Sequence, residues 1–423
     1  MHPNQLTALR TPEGSAALAA AAEVAGGDPL QAAATLRSRG VPGDLAAAAL
    51  TQAELRRRAT QKFGPDATSM FFTRAGLEQA TRAVVAERRA ARLRAAGVHT
   101  LADLGCGLGA DALAAARAGL RVYGVEADAT TAAMAAANAE AAGVADRFTV
   151  VHGDATEFDV SRVEAVFCDP ARRRVGTGRR VFDPDAYSPP WDFVLDLARR
   201  VPRTVVKVAP GIDHSVLPHD AEAEWVSVDG DLVEATLWCG PLATTPRRAT
   251  LLASRPSQKG CPVDPVSQEG SPLPAQEGTG LPSWEMTGTG AAHAQVGEVR
   301  RFLYDPDSAV VRAHLVAEFA ATLDGVLADP AIAYVYADTG QTTPFARCLE
   351  VTDVLPFALK RLRALLRERG VGRLEILKRG SALDPQRLRN DLRLSGSASA
   401  SLVLTRVAGA PTALLCQPVP GGR

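Results

Sequence analysis

The sequence predicts an α/β fold: a Rossmann-like, doubly wound and mostly parallel sheet, an N-terminal helical region, and a small C-terminal α/β domain. Three observations carry this. From about residue 100, short apolar segments alternate with alanine-rich helical ones. A glycine-rich turn separates the first strand from the first helix of that series. A Pro/Gly/Ser/Gln-rich stretch then stops the pattern before structure resumes near Glu298.

Residues 1–60 read as helices. Gln31–Arg39 and Asp44–Arg58 are rich in Ala, Leu and Arg, with breaks at Gly40, Pro42 and Gly43. A further amphipathic helix is expected from about Ala75 to Ala96. Strands follow at Thr100–Leu104, Val122–Val125, Phe148–Val151, Ala165–Cys168 and Thr204–Val208, the last preceded by a helix over Trp191–Arg200. Glu224–Val228 and Glu234–Trp238 read as a closing hairpin around Asp229-Gly230-Asp231. Six prolines between Pro256 and Pro282, with too few apolar residues for a core, mark a flexible linker or insertion over 254–297. Beyond it, helices at Ala309–Leu327 and Pro356–Arg369 accompany short strands at Ala333–Tyr336 and Leu374–Leu377. Leu402–Val407 and Thr412–Cys416 form a last hairpin. The domains are therefore 1–60, 61–253 and 298–423, with the linker between the last two.

Composition narrows the class. At 423 residues the chain exceeds one domain of ~150 residues, and its 46% hydrophobic content suffices for globular cores. No apolar run reaches the ~18 residues of a membrane span, and the alanine run at 16–22 meets Glu23 at once. Six scattered cysteines show neither a disulfide framework nor paired CxxC spacing. A cytoplasmic, reduced protein fits this usage. The seven histidines show no metal-ligand spacing. Formal net charge is zero, which argues against a uniformly basic coat.

The first strand runs into Asp103-Leu104-Gly105-Cys106-Gly107-Leu108-Gly109. Glycines there let the backbone turn tightly at a helix N-terminus and approach a ligand. Gly105, Gly107 and Ala110 also satisfy the looser dinucleotide pattern, so the neighbouring acids must decide. Asp103 precedes the turn, where it would meet a cationic amino group but repel a pyrophosphate. That disfavours a nicotinamide cofactor. Glu126 ends the second strand, placed for two ribose hydroxyls. Asp154 and Ala155 follow the third strand and suit an adenine amine. Asp169-Pro170 follows the fourth, where a methyl-donating sulfonium would meet its acceptor. All four elements fall at strand C-terminal ends, where open α/β sheets bind ligands.

On these residues, "DLGCGLGAD…VYGVEAD…VVHGDA…FCDPARR" resembles the class I S-adenosylmethionine-dependent methyltransferases over residues 98–175. The segment 62–81, "KFGPDATSMFFTRAGLEQAT", is similar to one that precedes the fold in several RNA methyltransferases. There a Ser or Thr closes over the cofactor, which implies Thr73. Residues 377–407 look like the THUMP-like domain behind such a methyltransferase in bacterial proteins. The resemblance implies S-adenosyl-L-methionine held by Thr73, Asp103, Gly105, Gly107, Gly109, Glu126, Asp154 and Ala155.

The acceptor is less explicit. Asp169-Pro170-Ala171-Arg172-Arg173-Arg174 lacks the aromatic of amino-methylating motifs. It partly resembles the motif of uracil-C5 enzymes, yet no cysteine has the context those need. Ser188-Pro189-Pro190-Trp191 matches the motif of cap-guanosine methyltransferases. It does not follow an expected strand, and a Ser N-cap with Pro in the first turn accounts for it. Tyr187 and Trp191 remain candidates for lining the acceptor pocket. Asp169, Pro170 and Arg172 are the candidate catalytic residues, with Arg173 as a phosphate contact. Arg172, Arg173, Arg174, Arg179 and Arg180 crowd one loop, and residues 356–406 hold twelve Lys/Arg against four acids. A basic loop and a basic lobe on a neutral chain point to a base in structured RNA as the acceptor. A small molecule or protein acceptor, or a non-catalytic RNA-binding protein of this fold, are the alternatives.

Overall fold

The computed structural model describes residues 3–172, 187–254 and 282–419. The chain divides into two compact units, the first holding residues 1–221 and 236–243 and the second 222–235, 244–275 and 281–423.

The first unit opens with helices α1 (Pro3–Leu9), α2 (Pro12–Val24), α3 (Pro29–Ser38) and α4 (Gly43–Phe63). The starts of α2 and α3 are written locally. Thr11 accepts from the Gly14 N–H and Asp28 from the Gln31 N–H, with Pro12 and Pro29 in the first turns. Small residues let these helices pack closely: Ala17, Ala21, Ala49 and Ala59 are essentially inaccessible.

The expected helix over 75–96 is two helices, α5 (Arg74–Gln79) and α6 (Ala83–Ala95). The break has a distant cause. The Lys62 ammonium, at the end of α4, donates to the carbonyls of Leu77, Glu78 and Ala80, each at 2.8 Å. It thus takes acceptors that a continuous helix would have used internally.

The alternation then proceeds through β1 (Thr100–Leu104), α7 (Ala110–Arg117), β2 (Arg121–Glu126), α8 (Ala129–Ala141), β3 (Phe148–His152) and β4 (Ala165–Cys168). A two-residue ladder, β5 (Ala171–Arg172) with β6 (Tyr187–Ser188), precedes α9 (Trp191–Arg200) and β7 (Thr204–Val208). Strand order is β3-β2-β1-β4-β7, all parallel, with the end of β9 (Asp231–Trp238) next to β7. Order reverses between β1 and β4, which makes their C-terminal ends the switch point of a doubly wound sheet.

The second unit holds β8 (Glu222–Val228) and the start of β9, joined through Asp229 and Gly230 at φ 53° and 90°. Both values are left-handed, as a tight hairpin turn requires. This hairpin does not close the sheet. β10 (Arg247–Leu252) adds parallel to β8, and β11 (Ser283–Gly288) adds antiparallel to β10. β11 lies inside the stretch whose composition reads as linker. Its pairing is held by Arg248, which bridges the buried Glu222 and the half-buried Glu285.

A second sheet follows: β12 (Phe302–Pro306), β13 (Val326–Leu327), β14 (Val335–Ala337), β15 (Ala346–Pro356), β16 (Val371–Lys378), β17 (Ala398–Val407) and β18 (Ala410–Pro418), in the order β13-β14-β12-β15-β18-β17-β16. The expected helix 309–327 is instead α10 (Ser308–Arg312), α11 (Val316–Ala321) and β13. His314 sits at φ 60°, with Leu315 N–H bonded to Val310 O and His314 N–H to Val311 O. That is a helix-ending geometry usually given to glycine. Helices α12 (Leu359–Glu368) and α13 (Pro385–Leu392) cover one face of this sheet. Leu402, Leu404 and Leu415 point into that core with Leu362, Leu366 and Leu388, while Val403 and Leu414 join Tyr334 and Tyr336 on the other side. The alternation is the period-two rule of strands buried on both faces.

Candidate active site

The site stands at the switch point of the first unit. Asp103 lies one residue before the end of β1 and is 1% exposed. Neither of its carboxylate oxygens has a hydrogen-bond partner among the described residues. Burial, then the charges of Asp111 and Asp169, push its carboxyl well above the usual carboxylate range, against the pull of Arg89 and Lys207. A desolvated carboxylate left without partners is costly in the free protein. A ligand cation would relieve that cost.

The turn after β1 uses three left-handed glycines, Gly105, Gly107 and Gly109, at φ 88°, 56° and 87°. A side chain at Gly109 would come within 2.9 Å of the Phe148 ring, and one at Gly124 within 2.5 Å of the same ring. Phe148 is thus wedged between the turn and β2. Gly124 is a site-shaping residue that the sequence reading missed, because a lone glycine in a strand carries no motif.

Glu126 is half-buried at the end of β2 and bridges two backbone donors. Its Oε2 accepts from the Gly107 N–H at 3.0 Å and its Oε1 from Asp128 N–H at 2.9 Å. The carboxylate therefore ties the glycine turn to the strand beside it. Asp154 is exposed. Its Oδ1 accepts from the Thr156 N–H and hydroxyl, which hold its carboxyl below the usual range. Ala155 starts the single helical turn that this Asp caps.

Thr73 caps α5, its hydroxyl oxygen accepting from the Gly76 N–H at 2.9 Å. The extended segment before it is held by two buried amides. Gln52 of α4 pairs with both backbone groups of Phe72, and Asn138 of α8 with both of Phe71. Thr73, Asp103, the glycines and Glu126 are thereby brought to one edge of one unit.

Asp169 follows β4 and is half-buried, with Pro170 buried beside it. The backbone oxygen of Asp169 would lie 3.6 Å from a side chain at Gly105. Its Oδ2 accepts from the Lys207 ammonium at 2.7 Å, and Lys207 also donates to the Thr81 hydroxyl at 3.1 Å. Sequence reasoning missed Lys207. The available signal was a single charge in the otherwise uncharged strand Thr204–Val208.

The β5–β6 ladder sets Arg172 opposite Tyr187 and Ala171 opposite Ser188. The two proline-containing motifs, 169–174 and 188–191, thus meet through their backbones. Ser188 is not the cap of α9. That position is Pro190, with no side-chain hydrogen bond. Trp191 is 6% exposed, so little of its ring is open for stacking. Arg173, Arg174, Arg179 and Arg180 lie outside the described residues.

Arg89 closes the underside of this edge. It is buried, paired with Asp111, and stacked 4.4 Å over Phe167 of β4. Cys106 and Cys168 are buried, and burial raises both thiols. Among the described residues no group of three or more His, Cys, Asp or Glu is arranged to hold a metal ion, and no helix is long and apolar enough to cross a membrane.

Comparisons with known proteins bear on this geometry. Residues 101–173 match the family profile of a methyltransferase domain, residues 346–418 that of a THUMP domain-like region, and residues 2–59 that of a domain of unknown function. The chain is 35% identical, over 381 residues, to uncharacterized S-adenosylmethionine-dependent methyltransferases of two Mycobacterium tuberculosis strains, CDC 1551 and H37Rv. The match covers 86% of this chain and 95% of those proteins. A Porphyromonas gingivalis W83 protein solved as a candidate methyltransferase shares the fold, with a TM-score of 0.70, 21% identity, and coverage of 96% of this chain and 98% of that one.

Proposed function

The chain belongs to the S-adenosylmethionine-dependent methyltransferase family, and we propose that it methylates structured RNA. S-adenosylmethionine supplies an activated methyl group, so the protein's main tasks are to position the acceptor and dispose of one proton.

In this reading the orphaned Asp103 takes the amino group of the cofactor, a cation matched to a buried carboxylate. Gly105, Gly107 and Gly109 give the backbone close access. Glu126 takes the ribose hydroxyls, Asp154 and Ala155 the adenine, and Thr73 closes the cofactor side. Asp169 and Pro170 position the acceptor, with Arg172 and Arg173 on phosphates and Tyr187 beside them. Trp191, buried at the start of α9, leaves little ring surface for an acceptor to stack on.

The observation that carries the RNA reading is the set of exposed cations on and beside α12 and α13. Lys360, Arg361, Arg367, Arg387 and Arg393 are exposed there and make no salt bridge among the described residues. Exposed cations without a salt-bridge partner suit a phosphate backbone. The THUMP domain-like match spans the same region.

The test is transfer of tritiated methyl groups to total RNA from a strain lacking the protein, with a total-protein extract alongside. Label in RNA that disappears with Asp169→Ala is the expected result. Label in protein alone, or in neither fraction while cofactor binding persists, would overturn the RNA reading.

A further inference from the structure

The β4–β7 ladder pairs Val166 with Thr204, Phe167 with Val205 and Cys168 with Val206. Continuing one step places Asp169 opposite Lys207, and their side chains meet at 2.7 Å. Lys207 is well covered, at 14% side-chain exposure, while Asp169 keeps 35%. The pairing uses only Oδ2 of Asp169; Oδ1 makes no hydrogen bond among the described residues. An ammonium therefore stands fixed behind a half-open carboxylate at the edge where the acceptor would arrive.

A second cation reinforces the first. Lys62, anchored on the carbonyls of Leu77, Glu78 and Ala80, lies close enough to Lys207 to feel its charge. Burial first, then Lys207 and Arg82, push the Lys62 ammonium down to about 8, with Glu78 opposing. Lys62 and Lys207 thus set two cations at this edge, facing Asp169, the buried Asp103 and Glu78.

That polarity discriminates between acceptor atoms. An amine that attacks a methyl donor becomes positively charged as its bond forms, and a fixed ammonium behind the accepting carboxylate opposes it. A hydroxyl oxygen must shed its proton and carry developing negative charge, which the same ammonium stabilises. We propose that Lys207 is a positioning residue that fits the site to methylate a hydroxyl oxygen, which in RNA is the ribose 2′ oxygen and not the base that the sequence leads one to expect. The inference rests on the RNA reading only for the identity of the molecule that bears the hydroxyl. In the step, the oxygen gains the methyl group and gives its proton to Asp169 Oδ1. The electron pair of the donor's carbon–sulfur bond stays on sulfur, and Asp169 returns the proton to solvent.

The experiment labels total RNA with the wild-type chain, digests it in alkali and locates the methyl group. A 2′-O-methyl group blocks attack on the adjacent phosphodiester, so the label should appear in alkali-stable dinucleotides. Lys207→Gln should lower the labelling rate by about 100-fold, while calorimetric affinity for S-adenosylhomocysteine stays within a few-fold and so reports a folded site. Lys207→Arg should restore much of the rate, because it restores the charge. Label on a base, in alkali-labile mononucleotides, overturns the proposal. So does near-normal activity of Lys207→Gln. Oxygen-linked label confined to protein or small molecules keeps the role of Lys207 and overturns the RNA reading alone.

Discussion

Asn138 hydrogen-bonds both backbone groups of Phe71: its side-chain oxygen accepts from the N–H at 2.7 Å and its amide nitrogen donates to the carbonyl at 3.2 Å. The same amide also donates to Leu108 O at 3.0 Å, so one buried side chain fixes the segment leading to Thr73 and the end of the glycine turn together. Asn138→Leu leaves three buried backbone groups unsatisfied. A loss of about 3 kcal/mol is expected, equivalent to a fall in Tm of roughly 6–12 °C for a unit of this size. A melt unchanged within a degree would remove Asn138 from that role.

Asp103→Asn separates the cost of the buried carboxylate from its use. The buried carboxyl is unpartnered in the free protein, so its replacement should leave Tm unchanged or raise it. Affinity for S-adenosylmethionine should fall by about tenfold or more in calorimetry. The pH dependence has a definite sign. A carboxyl whose folded pKa is raised keeps its proton in the native state while the unfolded chain has lost it, so stability falls as pH rises from about 3.9 through the folded pKa. Melts of the variant and the parent should therefore diverge upward in pH. Parallel curves would contradict the desolvation of Asp103.

Glu126→Ala removes the carboxylate that holds the Gly107 and Asp128 N–H groups and the proposed partner of the ribose hydroxyls. Cofactor affinity is expected to drop about 10- to 100-fold. Unchanged affinity on calorimetry would sink the assignment.

Arg361→Glu combined with Arg387→Glu reverses two exposed, unpaired charges. RNA affinity should fall and the slope of log K against log salt should flatten by about 2. Measurement at several salt concentrations checks this. An unaltered slope would place the RNA elsewhere.

Arg89→Ala takes away the partner of Asp111 and the stack on Phe167 while leaving a buried carboxylate behind. Denaturant unfolding should show a loss of about 3–5 kcal/mol. A value below about 1 kcal/mol would mean that solvent already reaches the pair.

What could be read in advance was whatever the chain writes locally. β1, β4, β7 and α9 fall at the residues expected, because each is a short periodic run between breakers. Helix ends were legible where glycine takes the left-handed position, as at Gly97, Gly119 and Gly143. The same geometry at His314 gave no such sign. The split of α5 from α6 was hidden because it depends on Lys62, fifteen residues or more away. β10 and β11 escaped because their pairing depends on Glu222 and Glu285 meeting Arg248 across separate strands. At the site, the placement of Asp103, Glu126 and Asp169 at strand ends was legible from position, but the Lys207–Asp169 contact needs the β4–β7 register.

The short β5–β6 ladder has a consequence for divergence. It joins residues 172 and 187 at a neck, so the chain between them begins and ends at fixed points. The entropy of joining two fixed ends depends only weakly on the length of chain between them, each doubling costing about 0.6 kcal/mol. Insertions and deletions between those points leave the glycine turn, Glu126 and Asp103 untouched. Changes of chain length between those fixed ends should therefore shift Tm little and leave the Gly107–Glu126 contact in place.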